Sequence, residues 1–387
     1  MKTSRGMINT TAGLVAMSDN GVQVIVVDGQ NGWIFNTESA VFTMITDPDF
    51  PAGAKAVTFS DGFFLVNTGG MEVGITSGRF HKSAAYDGLA WAPLDFATAE
   101  FSSDPLINIF VHQGYLALFG TLTTEAWQNT GGTAFPYNRV AGGVIEWGLA
   151  AKNSVAKYDN SIIYLAANRL RGRQVVIVQD FIPRVISGQD FEAELSKYVN
   201  INDAVAFSYW QSGHSFYHIS FPSAGKSWIY DLTTENWSEV FSSGGRHRAL
   251  LGINFLDRII VSDYEKGKIY ELSDKFLDDN GMEMVCELTS KHLFGENRMT
   301  INRLWLDVQP ATGTVQAPNP VVELRVSKDG GNTYGVGVPA AIGNTGEYST
   351  RCKWSRLGRA RDWVFKFRMT SPVKFVITGA WINTVEE

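Results

Sequence analysis

Apolar and polar residues alternate along roughly the first 275 residues in a unit that recurs six times. Each unit has an apolar strand, a tight turn, a second apolar strand, a short polar or glycine-rich break and a third strand. The turns are Asp19-Asn20-Gly21, Asp61-Gly62, Gln113-Gly114, Asp159-Asn160, Ser212-Gly213 and Leu256-Asp257. Their first residues lie 42, 52, 46, 53 and 44 residues apart, a period typical of β-propeller blades. The pattern therefore predicts an all-β fold with a β-propeller of about six blades.

The second unit shows the pattern most clearly. Ala56–Phe59 leads into Asp61-Gly62, Phe63–Val66 leads out, and Glu72–Thr76 alternates again after the break. Asp-Gly suits this turn because the favoured hairpin turns need positive φ, which these residues tolerate. A series of unrelated hairpins in a sandwich is the alternative, but the common order of parts favours the propeller. A short helix is predicted between blades at Phe191–Val199.

The propeller pattern ends near Lys275, and a polar turn at Leu277–Gly281 follows. We therefore predict a propeller domain over residues 1–278 and a second domain over residues 279–387. The predicted strands of the second domain are Met284–Leu288, Ile301–Val308, Val321–Val326, Tyr348–Trp354, Trp363–Met369 and Lys374–Ile377. These longer strands indicate a C-terminal β-sandwich.

Composition agrees with an all-β protein rich in turns. The 387 residues include 38 Gly, 24 Phe, 11 Trp and 13 Tyr, and 19% are charged. Cys286 and Cys352 are too few for a secreted disulfide framework and are expected to be free thiols in a reducing cell. The N-terminus lacks the apolar stretch of a signal peptide, and no apolar run is long enough for a membrane helix, so no membrane insertion is expected.

Charge is distributed unevenly between the two predicted domains. Residues 281–387 hold 13 Lys and Arg and 10 Asp and Glu, net +3, whereas the remainder holds 20 and 29, net −9. The basic excess includes Arg356, Arg359 and Arg361, which we predict as interface residues. It is consistent with contact to DNA or to an acidic partner. A solvated or inter-subunit strand face is the favoured alternative.

One motif resembles an Asp-box hairpin. Ser327–Tyr334 has the form S-x-D-G-G-x-T-aromatic, in which the Asp bonds turn backbone and the aromatic residue packs inward. The motif is therefore structural rather than catalytic. A retaining sialidase would also need an arginine cluster, a Tyr nucleophile and an acid, and no motif places these together. We predict no catalytic residues and no enzymatic activity.

Two further motifs and the histidines give no cofactor or metal site. Gly225-Lys226-Ser227 resembles the end of a phosphate-binding loop, but Ser220 stands where that loop needs Gly. Gly335–Ala340 loosely fits a dinucleotide fingerprint, which Pro339 and the all-β context disfavour. His214 and His218 would share a strand face without a third ligand nearby. The sequence therefore predicts no cofactor and no bound metal.

Segments along almost the whole chain resemble one protein family. They are Leu94–Glu100, Phe119-Gly120-Thr121, Thr124–Trp127, Phe135–Arg139, Gly213–Tyr217, Phe221-Pro222, Trp228–Asp231, Gly346–Tyr348, Trp354–Asp362, Ser371–Val373 and Gly379-Ala380. The chain is similar to the packaged-DNA stabilisation proteins of short-tailed bacteriophages, which belong to the tail hub below the portal. Family members usually carry a longer N-terminal region before the stretch corresponding to Ser4-Arg5-Gly6. That longer region is expected to bind an adaptor or to close the ring.

The resemblance implies a structural protein of the virion tail, assembled in the host cytoplasm. It implies a homohexameric ring that extends the portal channel, stabilises the packaged genome and docks tail fibres, spikes or a needle. Partners would be the portal or adaptor and these tail proteins, with double-stranded DNA passing through the lumen without sequence-specific contact. The net-negative propeller would let DNA slide if it lines that lumen.

Aromatic residues near loops are candidate interface anchors, because buried aromatics dominate interface energies. We select Trp91 and Trp147; Trp127 is weighed with them but is at least as well explained by packing inside a blade. Two other functions stay open: a receptor- or glycan-binding tail protein with a shallow aromatic groove, and, less favoured, a sialidase-like glycosidase with converging carboxylates and arginines.

Overall fold

The computed structural model describes residues 4–11, 13–68, 78–133, 135–168, 172–242, 245–309, 312–315 and 317–385. The chain divides into two compact units, one of Met1–Phe241 with Arg246–Glu271 and one of Ser242–Gly245 with Leu272–Glu387. The predicted strand Glu72–Thr76 lies outside the described residues. The predicted domain boundary after residue 278 falls in a short hairpin of the second unit, and it stays a prediction.

In the described part of residues 16–272 there are six antiparallel sheets, each built from consecutive stretches of chain, which we number blades 1 to 6. Blade 1 contains β1 (Ala16–Asp19), β2 (Gln23–Val27), β3 (Gly32–Asn36) and β4 (Phe42–Met44). Blade 2 contains β5 (Ala56–Ser60), β6 (Phe63–Asn67), β7 (Arg79–Ala84) and β8 (Asp87–Thr98). Blade 3 contains β9 (Leu106–His112), β10 (Tyr115–Gly120), β11 (Thr124–Asn129) and β12 (Tyr137–Ile145).

Blades 1 to 3 have four strands each among the described residues, whereas blades 4 and 5 have five and blade 6 has three. Blade 4 contains β13 (Gly148–Leu149), β14 (Ala156–Tyr158), β15 (Ser161–Asn168), β16 (Gly172–Gln179) and β17 (Ile182–Val185). Blade 5 contains β18 (Val205–Gln211), β19 (His214–Phe221), β20 (Lys226–Asp231), β21 (Asn236–Ser242) and β22 (Gly245–Arg246). Blade 6 contains only β23 (Ala249–Phe255), β24 (Arg258–Asp263) and β25 (Ile269–Leu272) among the described residues.

The predicted hairpin turns fall between the first two strands of blades 1, 2, 3, 5 and 6 and between β14 and β15 of blade 4. Five of them place a residue other than glycine at positive φ, with φ between 44° and 51°. These residues are Asp61, Gln113, Asp159, Ser212 and Leu256. Gly62, Gly114 and Gly213 follow three of them, also at positive φ, as the twist of a two-residue hairpin loop demands.

Neighbouring blades share hydrophobic cores. Ile25 of blade 1 packs in one cluster with Phe64 of blade 2, and Phe119 of blade 3 packs with Tyr164 of blade 4. The largest cluster joins blades 4 and 5 and includes the helix α1 (Gln189–Ser196), which buries Phe191 and Leu195. The helix begins and ends slightly earlier than the predicted Phe191–Val199, and Val199 is exposed.

The second unit consists of two short strands and one larger sheet. The short pair is β26 (Asp278–Asp279) with β27 (Met282–Glu283). The strands of the sheet are β28 (Cys286–Thr289), β29 (Leu293–Val308), β30 (Val321–Ser327), β31 (Val338–Ala341), β32 (Cys352–Met369) and β33 (Ile377–Val385). Their order is β31-β30-β32-β29-β33, and β28 also pairs with β32. One core cluster of this unit contains Leu304 of β29 and Trp363 and Phe367 of β32.

Three strand predictions in this unit were wrong. Of the predicted strand Tyr348–Trp354, only Cys352–Trp354 is strand, and it continues with Trp363–Met369 in the single strand β32, which passes through positive φ at Arg356 and Gly358. A β-bulge lets this strand continue through the charged stretch between the two apolar runs. The last strand begins at Ile377, where the predicted one ended. The prediction failed because most residues of β33 are exposed, so its sequence lacks a strong apolar pattern.

Candidate interface on the second unit

The Asp-box hairpin is held together by its own aspartate. Asp329 Oδ1 accepts hydrogen bonds from Ser327 Oγ at 2.7 Å and from Thr333 N at 2.9 Å, and Oδ2 accepts one from Thr333 Oγ1 at 2.6 Å. These donors, led by the Thr333 hydroxyl, lower the pKa of Asp329 to about 2. Both carboxylate oxygens are therefore engaged within the turn, as a structural role requires.

The three predicted interface arginines lie together in the middle of β32. Arg356, Arg359 and Arg361 are all exposed, and Arg359 pairs with Thr300 of β29 across the sheet. Arg356 lies at the bulge with φ of 59°. The regular alternation of side chains along β32 is therefore interrupted between Arg356 and the other two arginines. The structure thus brings these residues to one exposed stretch of strand, and their role in an interface stays a prediction.

A more organised cluster lies further along the same sheet. Asp307 receives two hydrogen bonds from Arg351, Nε to Oδ1 at 2.5 Å and Nη2 to Oδ2 at 3.1 Å. Trp381 Nε1 donates to Asp307 Oδ2 at 2.9 Å. The Arg351 guanidinium also lies over the ring of Trp305, 5.4 Å from its centroid. We call Trp305, Asp307, Arg351 and Trp381 the indole–guanidinium cluster.

Strand register explains why these residues meet. Trp305 on β29 is the direct cross-strand partner of both Trp381 on β33 and Lys353 on β32. Side chains of direct partners point to the same face of a sheet, and residues two apart on one strand share that face. Asp307 therefore stands beside Trp305 on the surface opposite the buried Leu304 and Leu306.

The carboxylate at the centre of the cluster is ionised and the indole is fixed. The hydrogen bonds from Arg351 are the main cause that holds the pKa of Asp307 below its usual value; desolvation opposes them, and the hydrogen bond from Trp381 adds a smaller lowering effect. A Cβ at Gly379 would lie 3.3 Å from Trp381 Nε1, so the small residue lets the indole lie back toward Asp307. Trp381 nevertheless remains 59% exposed.

No sequence pattern indicated this cluster. The last predicted strand ended at Ile377, so Trp381 was not placed on any strand and its pairing with Trp305 was not predicted. The available signals were Trp305 and Arg351, each within a predicted strand, and Trp381 beyond the last one. Only the register β32-β29-β33 brings them together.

Trp91 and Trp147 lie in cores between blades. Trp91 is 7% exposed, donates from Nε1 to Gly88 O at 2.9 Å and packs edge-on against Phe50. Trp147 is 9% exposed and belongs to the core shared by blades 3 and 4. Their burial in these cores does not support a role as surface anchors, and an interface role for them stays a prediction. Trp127 is also buried, as its alternative interpretation stated.

Two cavities in the described chain are lined by charged side chains. One, of about 130 Å³, lies between blades 3 and 4 beside Glu125, whose oxygens accept hydrogen bonds from Phe101 N and Trp127 Nε1, both at 2.9 Å. The other, of about 460 Å³, lies against Arg325 and Arg368 in the second unit. Those cations are paired with Glu323 and Glu287. Glu125, Arg325 and Arg368 thus have structural partners.

The described residues contain no candidate metal site and no candidate membrane-spanning helix. Within the ranges that the structure covers, no group of three or more His, Cys, Asp or Glu side chains is placed to hold a metal ion. No helix in the described part of the chain is long and apolar enough to cross a membrane.

Comparison with solved structures gives weak similarity to proteins of other kinds. BamB from Moraxella catarrhalis matches with a TM-score of 0.40 and 11% identity, over 67% of this chain and 82% of that one. Hsv2 from Kluyvelomyces marxianus matches with a TM-score of 0.39 and 10% identity, over 67% and 72%. Among curated proteins, none matches the chain.

Two family models match consecutive parts of the chain. The model described as bacteriophage P22 Gp10, beta-propeller, matches residues 4–276, and the one described as bacteriophage P22 Gp10, beta-sandwich, matches residues 286–385. They confirm the predicted fold class, a β-propeller followed by a C-terminal β-sandwich, and the predicted family resemblance. The chain therefore belongs to the bacteriophage P22 Gp10 family of phage tail structural proteins.

Proposed function

We propose that this protein is a non-catalytic hub of a phage tail, a ring of six copies below the portal that extends the DNA channel. The observation that supports this most is the match of both units, in order, to the two domains of one tail protein family. A propeller suits a docking hub because its blades pack rigidly and have short, protected edges. Its loops can then vary to meet fibres, spikes or a needle.

A ring of identical subunits needs a head-to-tail contact that closes under cyclic symmetry. The net charge of −9 on residues 1–280 would keep DNA from adhering if the propeller lines the lumen, since like charges repel the phosphate backbone. Retention of the packaged genome would then come from the assembled tail rather than from sequence-specific binding. Assembly is proposed to take place in the host cytoplasm before the virion is released.

The test is a reconstruction of the tail from purified virions, combined with quantitative mass spectrometry. We expect six copies per tail, arranged below the portal around the channel. Absence of the protein from virions, or its presence as a cleaved assembly factor, would overturn the proposal. Turnover of a sialoside or capsular polysaccharide by the purified protein would contradict the non-catalytic part alone.

A further inference from the structure

The indole–guanidinium cluster has the properties of a preorganised protein-binding surface. Trp381 is 59% exposed, yet its N–H is already bonded to Asp307, which Arg351 holds through two hydrogen bonds. A side chain fixed before binding loses little conformational entropy when a partner covers it. Trp and Arg are also the residue types most enriched at the energetic centres of protein interfaces.

The surface around the cluster is cationic. Arg303 lies two residues from Trp305 on β29, and Lys353 is the cross-strand partner of Trp305 on β32. Both side chains are exposed, and neither has an ion-pair partner within the described residues. Because Arg351 neutralises Asp307, the two unpaired cations give this face a net positive charge around an aromatic centre.

We propose that this face binds the acidic propeller unit of a second copy of the chain. The proposal rests on the proposed ring function and names the surface that would join its subunits. Charge complementarity favours this occupant, since residues 1–280 carry net −9 and residues 281–387 carry net +3. A contact between the second unit of one copy and the first unit of the next is heterologous, which is the kind of contact that closes into a ring.

DNA and an acidic glycan would also be attracted by positive charge, but the cluster fits a protein better. Most protein–DNA hydrogen bonds go to phosphate oxygens, whereas the centre of this face is an indole beside a carboxylate. Both oxygens of that carboxylate already accept hydrogen bonds inside the protein, so it offers little to sugar hydroxyls. An acidic protein surface can cover the indole and pair Arg303 and Lys353 at once.

The experiment measures self-association of the full-length protein by mass photometry and sedimentation velocity between 50 and 500 mM NaCl. The test variants are Trp381→Ala and the double variant Arg303→Glu/Lys353→Glu. The matched control is Phe294→Ala, because Phe294 is an aromatic residue of the same unit, lies outside the cluster on β29 and is 73% exposed. We expect Trp381→Ala to weaken association by about 30-fold, the size of a hot-spot loss, and the charge reversal to abolish assembly at low salt. Phe294→Ala should assemble like the wild type.

The proposed interface is overturned if the wild-type protein forms rings and Trp381→Ala and the charge reversal form them equally well. It is also overturned if the charge reversal spares assembly but abolishes binding to a 30-base-pair duplex or to a defined acidic oligosaccharide, both followed by fluorescence anisotropy. Unchanged thermal unfolding of each variant would show that it folds. Failure of the wild type to form rings, with absence from virions, would instead overturn the proposed function.

Discussion

Blades 5 and 6 use the same hairpin but bury it differently. Tyr209↔Phe216 and Ile253↔Ile260 are each the third residue pair from the turn, so Tyr209 and Ile253 occupy matching positions. Tyr209 is 4% exposed and Ile253 is 61% exposed. The exposures differ because only blade 5 is followed by another blade. In a repeat architecture each unit buries the face of the one before it. Blade 6 covers blade 5, and no described residue gives the far face of blade 6 a comparable cover.

The joint between the two blades depends on one close approach. Gly252 on β23 leaves room for the Phe207 ring, and a Cβ there would lie 2.4 Å from a ring carbon. Ile253 follows Gly252 on the strand and therefore points to the opposite, uncovered face. Phe255 shares that face and is 61% exposed. Burial in this propeller is therefore decided by position in the series as much as by residue type.

The largest expected difference is between two phenylalanines. Phe207→Ala should lower the free energy of unfolding of the propeller by about 3–4 kcal/mol, because Phe207 is 5% exposed and its removal leaves a cavity. Phe255→Ala should change it by less than about 0.5 kcal/mol, as for an exposed substitution. Urea unfolding followed by tryptophan fluorescence measures both. An equal loss for Phe255→Ala would show that something covers blade 6 in solution.

A second substitution tests the joint from the other side. Gly252→Ala forces a Cβ against the Phe207 ring and should cost about 1–3 kcal/mol, as overpacking does. Gly267→Ala is the control in the same blade, since no atom lies within 4 Å of the added Cβ and its φ is not positive. Hydrogen exchange should show faster opening of β23 and β24 in Gly252→Ala only. Protection equal to that of Gly267→Ala would mean that the ring moves aside at no cost.

The joint should also weaken in acid. His218 on β19 is fully buried, stacks on Phe207 with ring centroids 4.6 Å apart and faces His247 at 5.1 Å. Neither of its ring nitrogens has a hydrogen-bond partner among the described residues. Burial, and secondarily the charge of His247, hold the pKa of His218 well below the usual value of a histidine.

This depressed pKa fixes the direction of the pH effect. The unfolded chain takes up a proton below about pH 6.5 while folded His218 stays neutral, so stability is lost as the pH falls below that value and is unaffected above it. The loss from this group approaches about 1.4 kcal/mol for each pH unit below 6.5. His218→Phe should remove that part of the pH dependence, whereas His292→Gln, at an exposed position, should retain it. Identical pH profiles for wild type and His218→Phe would contradict the argument.

The sequence was sufficient to predict the number of hairpins but not which faces are covered. Turn residues such as Asp61-Gly62 impose a local conformation, so their spacing alone predicts the six blades. Ile253 and Tyr209 look alike in sequence, and only the presence of a next blade separates them. The cluster at Asp307 was hidden for a similar reason, because Arg351, Trp305 and Trp381 meet only through the register of three distant strands. The bulge at Arg356 concealed the continuity of β32 in the same way.

The smallest expected effect concerns the turn of blade 6. Leu256 is the first residue of the blade 6 turn and has φ of 49°, so its backbone carries the strain of the left-handed region. Its side chain is 84% exposed, so packing does little to offset that strain. Leu256→Asn should raise the free energy of unfolding by about 0.5–1 kcal/mol, since Asn tolerates that conformation far better. Leu94→Asn is the control, because Leu94 is 82% exposed but does not have positive φ. If Leu94→Asn stabilised the protein as much, the gain would come from removing exposed apolar surface rather than from relief of backbone strain.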